Sequence, residues 1–241
     1  MKKENSKSSI IIIIVLIAIV FLLITYIVST LIPKNKQILG NKSLEILGYA
    51  NVPGIDSEDQ FLIRVKNTST QTFVNANLYA VYYDHNNMPM HEAWSGTIKY
   101  FKPNSIRIVR LYDTIDDYSK AEIGLFNAEN DKNMIDLMRN ITYQVEKTTE
   151  QDANGNVKLL FTGANDSNKT VDLLFQNTYW DKNNKFIDGN SFNVIVNPNS
   201  EFSFYNYFVN KYNDGTPFPK GYTCNVVLVE ALEADSQVIN Q

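Results

Sequence analysis

The chain has 241 residues, of which 44% are hydrophobic, 20% charged and 12% aromatic, with 10 glycines, 7 prolines and a single cysteine. This composition excludes collagen-like, low-complexity and disulfide-rich proteins. The net charge of −4 implies no basic surface for nucleic acid, and two histidines offer little for a metal site or a catalytic relay. We therefore expect no cofactor, no metal and no nucleic-acid partner.

Residues 10–32 form an uncharged apolar block, IIIIIVLIAIVFLLITYIVSTLI. About 20 such residues in a helix cross the ~30 Å hydrocarbon core of a bilayer, so the block predicts one transmembrane helix in contact with membrane lipid. A cleaved signal peptide is the alternative, but its apolar region is shorter and is followed by small residues. This block is longer, and its only alanine is Ala18.

Residues 1–9 are expected to be a cytoplasmic stub, and the polar stretch 33–42 is expected to be a linker. Three lysines lie on each side of the apolar block, so the positive-inside rule gives only weak guidance. Without the stub the chain keeps 19 basic and 25 acidic residues, a net charge of −6 that does not suit an anionic inner leaflet. We predict a single-pass cell-membrane protein with its C-terminal body outside; a cytoplasmic body is the alternative.

The body contains an internal repeat. Residues 73–87, FVNANLYAVYYDHNN, align with residues 170–184, TVDLLFQNTYWDKNN, and the turn KPNS at 102–105 aligns with NPNS at 197–200. Both copies alternate apolar and polar residues, which is typical of half-buried strands, and turn residues punctuate the runs. The pattern predicts an all-β fold of two tandem β-sandwich domains, at 43–136 and 137–241, each large enough for a core.

In both copies a strand ends in two aromatic residues and an aspartate, followed by a polar turn and, further on, a Pro-polar-Ser turn. The aromatic pairs and aspartates are Tyr82, Tyr83 and Asp84, and Tyr179, Trp180 and Asp181. This arrangement resembles the FxLYD-type domain of lipoproteins and single-pass membrane proteins from Gram-positive bacteria, although the leading Phe is absent and Tyr replaces Leu. The resemblance implies immunoglobulin-like extracytoplasmic sandwiches and carries over no activity. The abundance of Asn, Ile, Lys and Tyr is typical of an AT-rich genome.

The motif aspartates admit two interpretations. A Ca²⁺ site would use carboxylate and amide oxygens, but DHNN and DKNN lack the spacing, glycine and final glutamate of a Ca²⁺ loop. Asp and Asn also favour turns by bonding their own backbone, which is the interpretation we prefer. Cys224 alternates with apolar residues and is expected to be a buried hydrophobic side chain.

Residues 201–208 form the most aromatic predicted strand. Phe202 and Phe204 share one face and are expected in the core, whereas Tyr205 and Tyr207 lie on the other face. With Tyr212 and Phe218 from the following loop, these tyrosines form a candidate binding face for an envelope protein or a glycan. Packing against the sister domain is the alternative use of this face.

We expect a non-catalytic envelope protein whose modules bind or scaffold. An accessory or sensing subunit of a membrane complex is a second hypothesis. An envelope hydrolase is a third, which the absence of G-x-S-x-G, H-E-x-x-H and S-x-x-K motifs disfavours.

Overall fold

The computed structural model describes residues 19, 37–53, 60–112, 114–115, 117–126 and 136–234. The chain divides into two compact units, Met1–Lys36 and Gln37–Gln241. In the first unit only Ile19 is described, so the predicted stub and transmembrane helix otherwise lie outside the described residues. Within the described part of the chain, no helix has the length and apolar character needed to span a membrane.

The second unit is all-β, as predicted. Its strands up to residue 126, here called the first half, are β1 (Gln37–Gly40), β2 (Leu44–Val52), β3 (Gln60–Asn67), β4 (Phe73–Tyr83), β5 (Pro89–Phe101), β6 (Ile106–Tyr112) and β7 (Lys120–Phe126). A 3₁₀ turn at Met138–Asn140 follows. The strands of the second half are β8 (Ile141–Gln151), β9 (Val157–Asn165), β10 (Val171–Trp180), β11 (Phe186–Val196), β12 (Ser200–Phe208) and β13 (Thr223–Glu233).

The two halves share their strand pairings. The first half is one seven-stranded sheet in the order β1-β7-β4-β5-β6-β3-β2, and the second half has two three-stranded sheets, β11-β10-β13 and β12-β9-β8. Pairing of β4 with β5 and β7 corresponds to pairing of β10 with β11 and β13, and β3 lies between β2 and β6 as β9 lies between β8 and β12. This correspondence agrees with the sequence repeat.

Each half has its own apolar core. In the second half, Phe161 of β9 and Phe175 of β10 meet edge to face with ring centroids 5.2 Å apart, which joins the two sheets. In the first half, Ile63, Leu78 and Leu111 are among the fully buried side chains. Edge-to-face contacts of this kind add to the free energy gained from burying apolar surface.

The predicted linker 33–42 contains a strand, which corrects the sequence interpretation. β1 runs parallel to β7, with Gln37 opposite Lys120 and Gly40 opposite Ile123. The Asn41 N–H donates to the Ile123 carbonyl at 2.9 Å, and Ile38 packs against the core of the first half. The first half therefore begins at Gln37, because one apolar side chain and a few ladder bonds suffice to pair so short a strand.

A fully buried asparagine fixes the turn after β3, and its counterpart fixes the turn after β9. Asn67 Nδ2 donates to the carbonyls of Gln71 and Phe101, both at 2.8 Å, while its Oδ1 accepts from Ser69 N–H at 2.9 Å. The corresponding bonds in the second half join Asn165 to Lys169, Asn197 and Ser167. Two asparagines that head N-x-S triplets are thus structural, and their burial excludes glycan attachment in the folded chain.

The halves pack against each other. Ala50, Val52 and Leu62, on the outward face of β2 and β3, form a buried cluster with Phe186 of β11. Beside it, the Arg64 guanidinium carbon lies 5.2 Å from the Trp180 ring centroid. The second unit therefore has an apolar interface between its halves in addition to two separate cores.

Candidate binding surfaces

The alternation predicted for β12 is present. Phe202 and Phe204 pack against the core, whereas Tyr205 and Tyr207 point outward and are 56% and 36% exposed. Opposite them on β9 lie Leu160 and Lys158. We call this outward surface of β12 and β9 the tyrosine face, comprising Tyr205, Tyr207, Lys158 and Leu160.

A lysine holds the ring of Tyr205. Lys158 Nζ lies 3.9 Å from the centroid of that ring, which is the geometry of a cation–π contact. The same ammonium donates to Glu150 Oε2 at 2.6 Å, and this bond raises the pKa of Lys158 above its usual value. The tyrosine face thus presents an oriented aromatic ring beside a fixed charge pair.

Phe218 and Tyr212 do not extend this surface. Phe218 is only 6% exposed, and its ring centroid lies 5.0 Å from that of Tyr179 and 4.6 Å from that of Tyr212. The loop after β12 closes on itself through an isolated antiparallel β-bridge between the backbones of Lys211 and Pro217. The Phe218 ring that follows packs into the core. Of the four residues predicted for the binding face, the structure brings only Tyr205 and Tyr207 together on it.

The first aromatic residue of each motif is fully buried. The Tyr82 ring meets that of Tyr118 edge to face at 4.9 Å, and the Tyr179 ring meets that of Phe208 at 6.0 Å. The Tyr179 hydroxyl accepts from the Val209 N–H at 3.2 Å, and burial raises its pKa well above the ordinary value. These two tyrosines therefore belong to the cores.

The second aromatic residue of each motif points away from its core. The Tyr83 hydroxyl donates to Glu122 Oε2 at 3.0 Å, and Lys120 Nζ lies 4.2 Å from the Tyr83 ring centroid. Trp180 lies instead in the interface between the halves, where its ring meets Phe186 at 5.7 Å. The same motif position thus serves a surface in one copy and an internal contact in the other.

Asp84 and Asp181 cap identical turns. Asp84 Oδ1 accepts from the N–H groups of Asn86 and Met88, both at 2.8 Å. Asp181 Oδ1 accepts in the same way from Asn183 and Lys185. These backbone bonds lower the pKa of both carboxyls, and within the described ranges no three potential metal-binding side chains cluster.

Cys224 is half-buried against the core of the second half. Burial raises the pKa of its thiol to about 11. The thiol therefore stays protonated at neutral pH, which agrees with the expected hydrophobic role.

An aromatic row on the first half was not predicted from the sequence. Tyr112, Trp94 and Tyr79 lie directly opposite one another across β6, β5 and β4, and Gly124 of β7 is next in the row. Tyr79 occupies the space where a Gly124 side chain would lie, and the Trp94 ring meets that of Phe126 at 5.0 Å. The sequence shows which residues of a single strand point outward. It does not show the pairing register that aligns those residues across neighbouring strands.

No family model matches the chain, and no curated protein matches it. Among solved structures, the chain is similar in part to red sea bream transglutaminase, with 9% sequence identity and a TM-score of 0.22 over 78% of this chain. The match spans 29% of the transglutaminase chain. A similarity of this size carries no argument about fold or function.

Proposed function

We propose that this chain is a non-catalytic, membrane-anchored extracytoplasmic protein whose two sandwich halves present a binding surface at the cell envelope. Residues 10–32 would be its anchor, and the halves would be tandem immunoglobulin-like domains of the FxLYD type. The tyrosine face carries the proposal. Its rings point away from the core on a strand whose alternate residues are phenylalanines packed inside.

Tyrosine suits such a surface because its ring offers a large apolar area with little conformational entropy to lose, and its hydroxyl adds a hydrogen-bonding group. Lys158 and Glu150 add fixed charges within reach of the Tyr205 ring. An envelope protein or a glycan matches this combination, because both present apolar patches edged with hydrogen-bonding groups.

Photo-crosslinking in living cells tests the binding role. A benzoylphenylalanine residue would replace Tyr205 or Tyr207, and the products would be identified by mass spectrometry. We expect an envelope protein or a protease-resistant glycan adduct, whereas the same probe at Tyr49 in the first half yields neither. Recovery of crosslinks only within this chain would contradict the proposal.

Protease treatment of intact, wall-stripped cells tests the topology. We expect the body to be digested and a membrane-embedded fragment of the N-terminal region to remain. A body protected until the membrane is permeabilised would show that the body lies inside. Release of fragments from purified wall material by the full-length chain would overturn the non-catalytic assignment.

A further inference from the structure

A cavity of about 470 Å³ lies between the two halves. One side is formed by β5 and β6, and the other by the outward surfaces of β10, β11 and β13. Its volume lies within the range of small-molecule sites in proteins. It lies apart from the tyrosine face, which belongs to the β12-β9-β8 sheet.

The cavity exists because β5 and β6 separate. The two strands pair only at Trp94 with Tyr112 and at Ser95 with Leu111, and beyond these residues β5 continues alongside β4. The gap leaves Arg107 of β6 with no β5 neighbour on the ladder. The Arg107 side chain instead spans the gap, and its Nη2 donates to the Tyr100 carbonyl at 2.7 Å and to Glu230 Oε2 at 2.8 Å.

Three buried polar side chains line the cavity: Arg107, Glu230 and Gln176, which are 2%, 6% and 4% exposed. Arg107 Nε has no hydrogen-bond partner among the described residues. The Gln176 side-chain amide lines the opposite wall of the cavity, forms no side-chain hydrogen bond within the described residues, and is not among the polar atoms sealed from solvent. Arg107 Nε is sealed from solvent and so from any ligand, whereas the Gln176 amide lines the cavity and offers its hydrogen-bonding groups to a polar molecule there.

The rest of the lining restricts the chemistry of that molecule. Ile98, Ile108 and Leu174 give the cavity apolar walls. Of the charged lining residues, Arg107 and Lys99 are positive and Glu230 and Asp172 are negative, so the lining has no net charge. A charged ligand would therefore gain little from the site, and a neutral ligand with paired donors and acceptors fits it better.

We propose that this cavity binds a small neutral ligand through a secondary amide, as in an acetamido sugar or an acylated peptide. The Gln176 carbonyl accepts from the ligand N–H, whereas the ligand carbonyl, which points the opposite way in a trans amide, faces the hydroxyl donors of other lining residues such as Thr97 and Ser191. The acyl methyl group packs against Ile108 and Leu174. Both sources share this chemistry, and the two are distinguished by the probes below.

The test titrates the purified full-length chain with three probes: N-acetylglucosamine, N-acetylalanine methylamide and glucose. Binding of each probe is monitored by saturation-transfer NMR. We expect one or both amide probes to bind with millimolar affinity, as suits ligands of this size, and glucose to bind about tenfold more weakly or not at all. Preference between the amide probes identifies the source. Failure of both amide probes, or equal binding of glucose, would overturn the proposal.

Two variants locate the binding. Gln176→Leu keeps the side-chain volume and removes the amide, and we expect it to weaken binding of the amide probe about tenfold. Ile195→Trp narrows the exposed edge of the cavity without touching its buried side chains, and should weaken binding as well. Thr178→Val, on the same outward face of β10 but outside the lining, is the matched control. Unchanged affinity in both cavity variants would place the ligand elsewhere.

Discussion

Arg107 Nη2 and Glu230 Oε2 lie 2.8 Å apart, although their residues are 123 positions apart in the chain. Both side chains are nearly fully buried, at 3% and 6% exposure. Burial lowers the pKa of Arg107 and raises the pKa of Glu230, while each partner's charge opposes the shift in the other. The ion pair therefore joins the two halves at a considerable desolvation cost.

Removing one partner of this pair should destabilise the protein strongly. Arg107→Met leaves the Glu230 carboxylate buried without its counter-charge, and we expect the free energy of unfolding to fall by about 3–5 kcal/mol. The double variant Arg107→Met, Glu230→Leu should recover most of that loss. Urea unfolding followed by tryptophan fluorescence measures all three chains.

Lys169→Met is the control for the ion pair, because Lys169 and Glu233 form an exposed pair with a similar separation, 2.8 Å. Lys169→Met should lower the free energy of unfolding by less than about 1 kcal/mol. If the double variant Arg107→Met, Glu230→Leu were as unstable as Arg107→Met alone, the loss of stability would come mainly from the lost packing of Arg107 and not from the uncompensated charge of Glu230.

Asp188 should make stability fall as the pH rises. Burial raises the pKa of its carboxyl from 3.8 to about 6, although Arg110 and the Gly189 N–H oppose the shift. Between these values the folded chain holds a proton that the unfolded chain has lost, so the contribution of Asp188 to the free energy of unfolding decreases up to about pH 6. Asp188→Asn removes this loss and should stabilise the protein by about 2 kcal/mol at pH 7.

The measurement is urea unfolding of Asp188→Asn and the parent chain at pH 4 and pH 7. The difference between them should nearly vanish at pH 4. The exposed substitution Asp166→Asn is the control and should change stability by less than about 0.5 kcal/mol at either pH. Equal effects of Asp188→Asn at the two pH values would contradict the assigned titration.

The buried asparagine after β9 should be hard to replace. Asn165→Ala leaves the Lys169 and Asn197 carbonyls and the Ser167 N–H without their partner, and we expect a loss of about 3 kcal/mol. Asn168→Ala, at an exposed position in the same turn, should cost less than about 0.5 kcal/mol. Thermal and urea unfolding check both, and similar losses would show that the turn has no special dependence on Asn165.

Two glycines should respond differently to the same methyl group. A Cβ at Gly163 would overlap the Thr142 carbonyl on the neighbouring strand and the Phe202 ring, so Gly163→Ala should destabilise by about 3 kcal/mol. A Cβ at Gly96 meets nothing within 4 Å, and Gly96→Ala should be neutral or slightly stabilising. Urea midpoints compare the two, and a tolerated Gly163→Ala would mean that β8 and β9 can move apart.

Local patterns sufficed for the strands and for the repeat. Period-two alternation placed Phe204 inside and Tyr205 outside on β12, because neighbouring side chains on a strand point to opposite faces. The burial of Phe218 was not predictable, since a loop residue's position depends on how the loop closes. Gln176 and Arg107 gave no signal either, because their chemistry arises from packing between halves that are distant in sequence.

The parallel pairing of β1 with β7 also determines how a pull on the chain is carried. A pull directed along the axis of β1 would load the residue pairs from Gln37–Lys120 to Gly40–Ile123 together. At the end of a hairpin, by contrast, such pairs open one after another. Under such a pull β1 would be loaded in shear, and it would shield the strands behind it from mechanical unzipping.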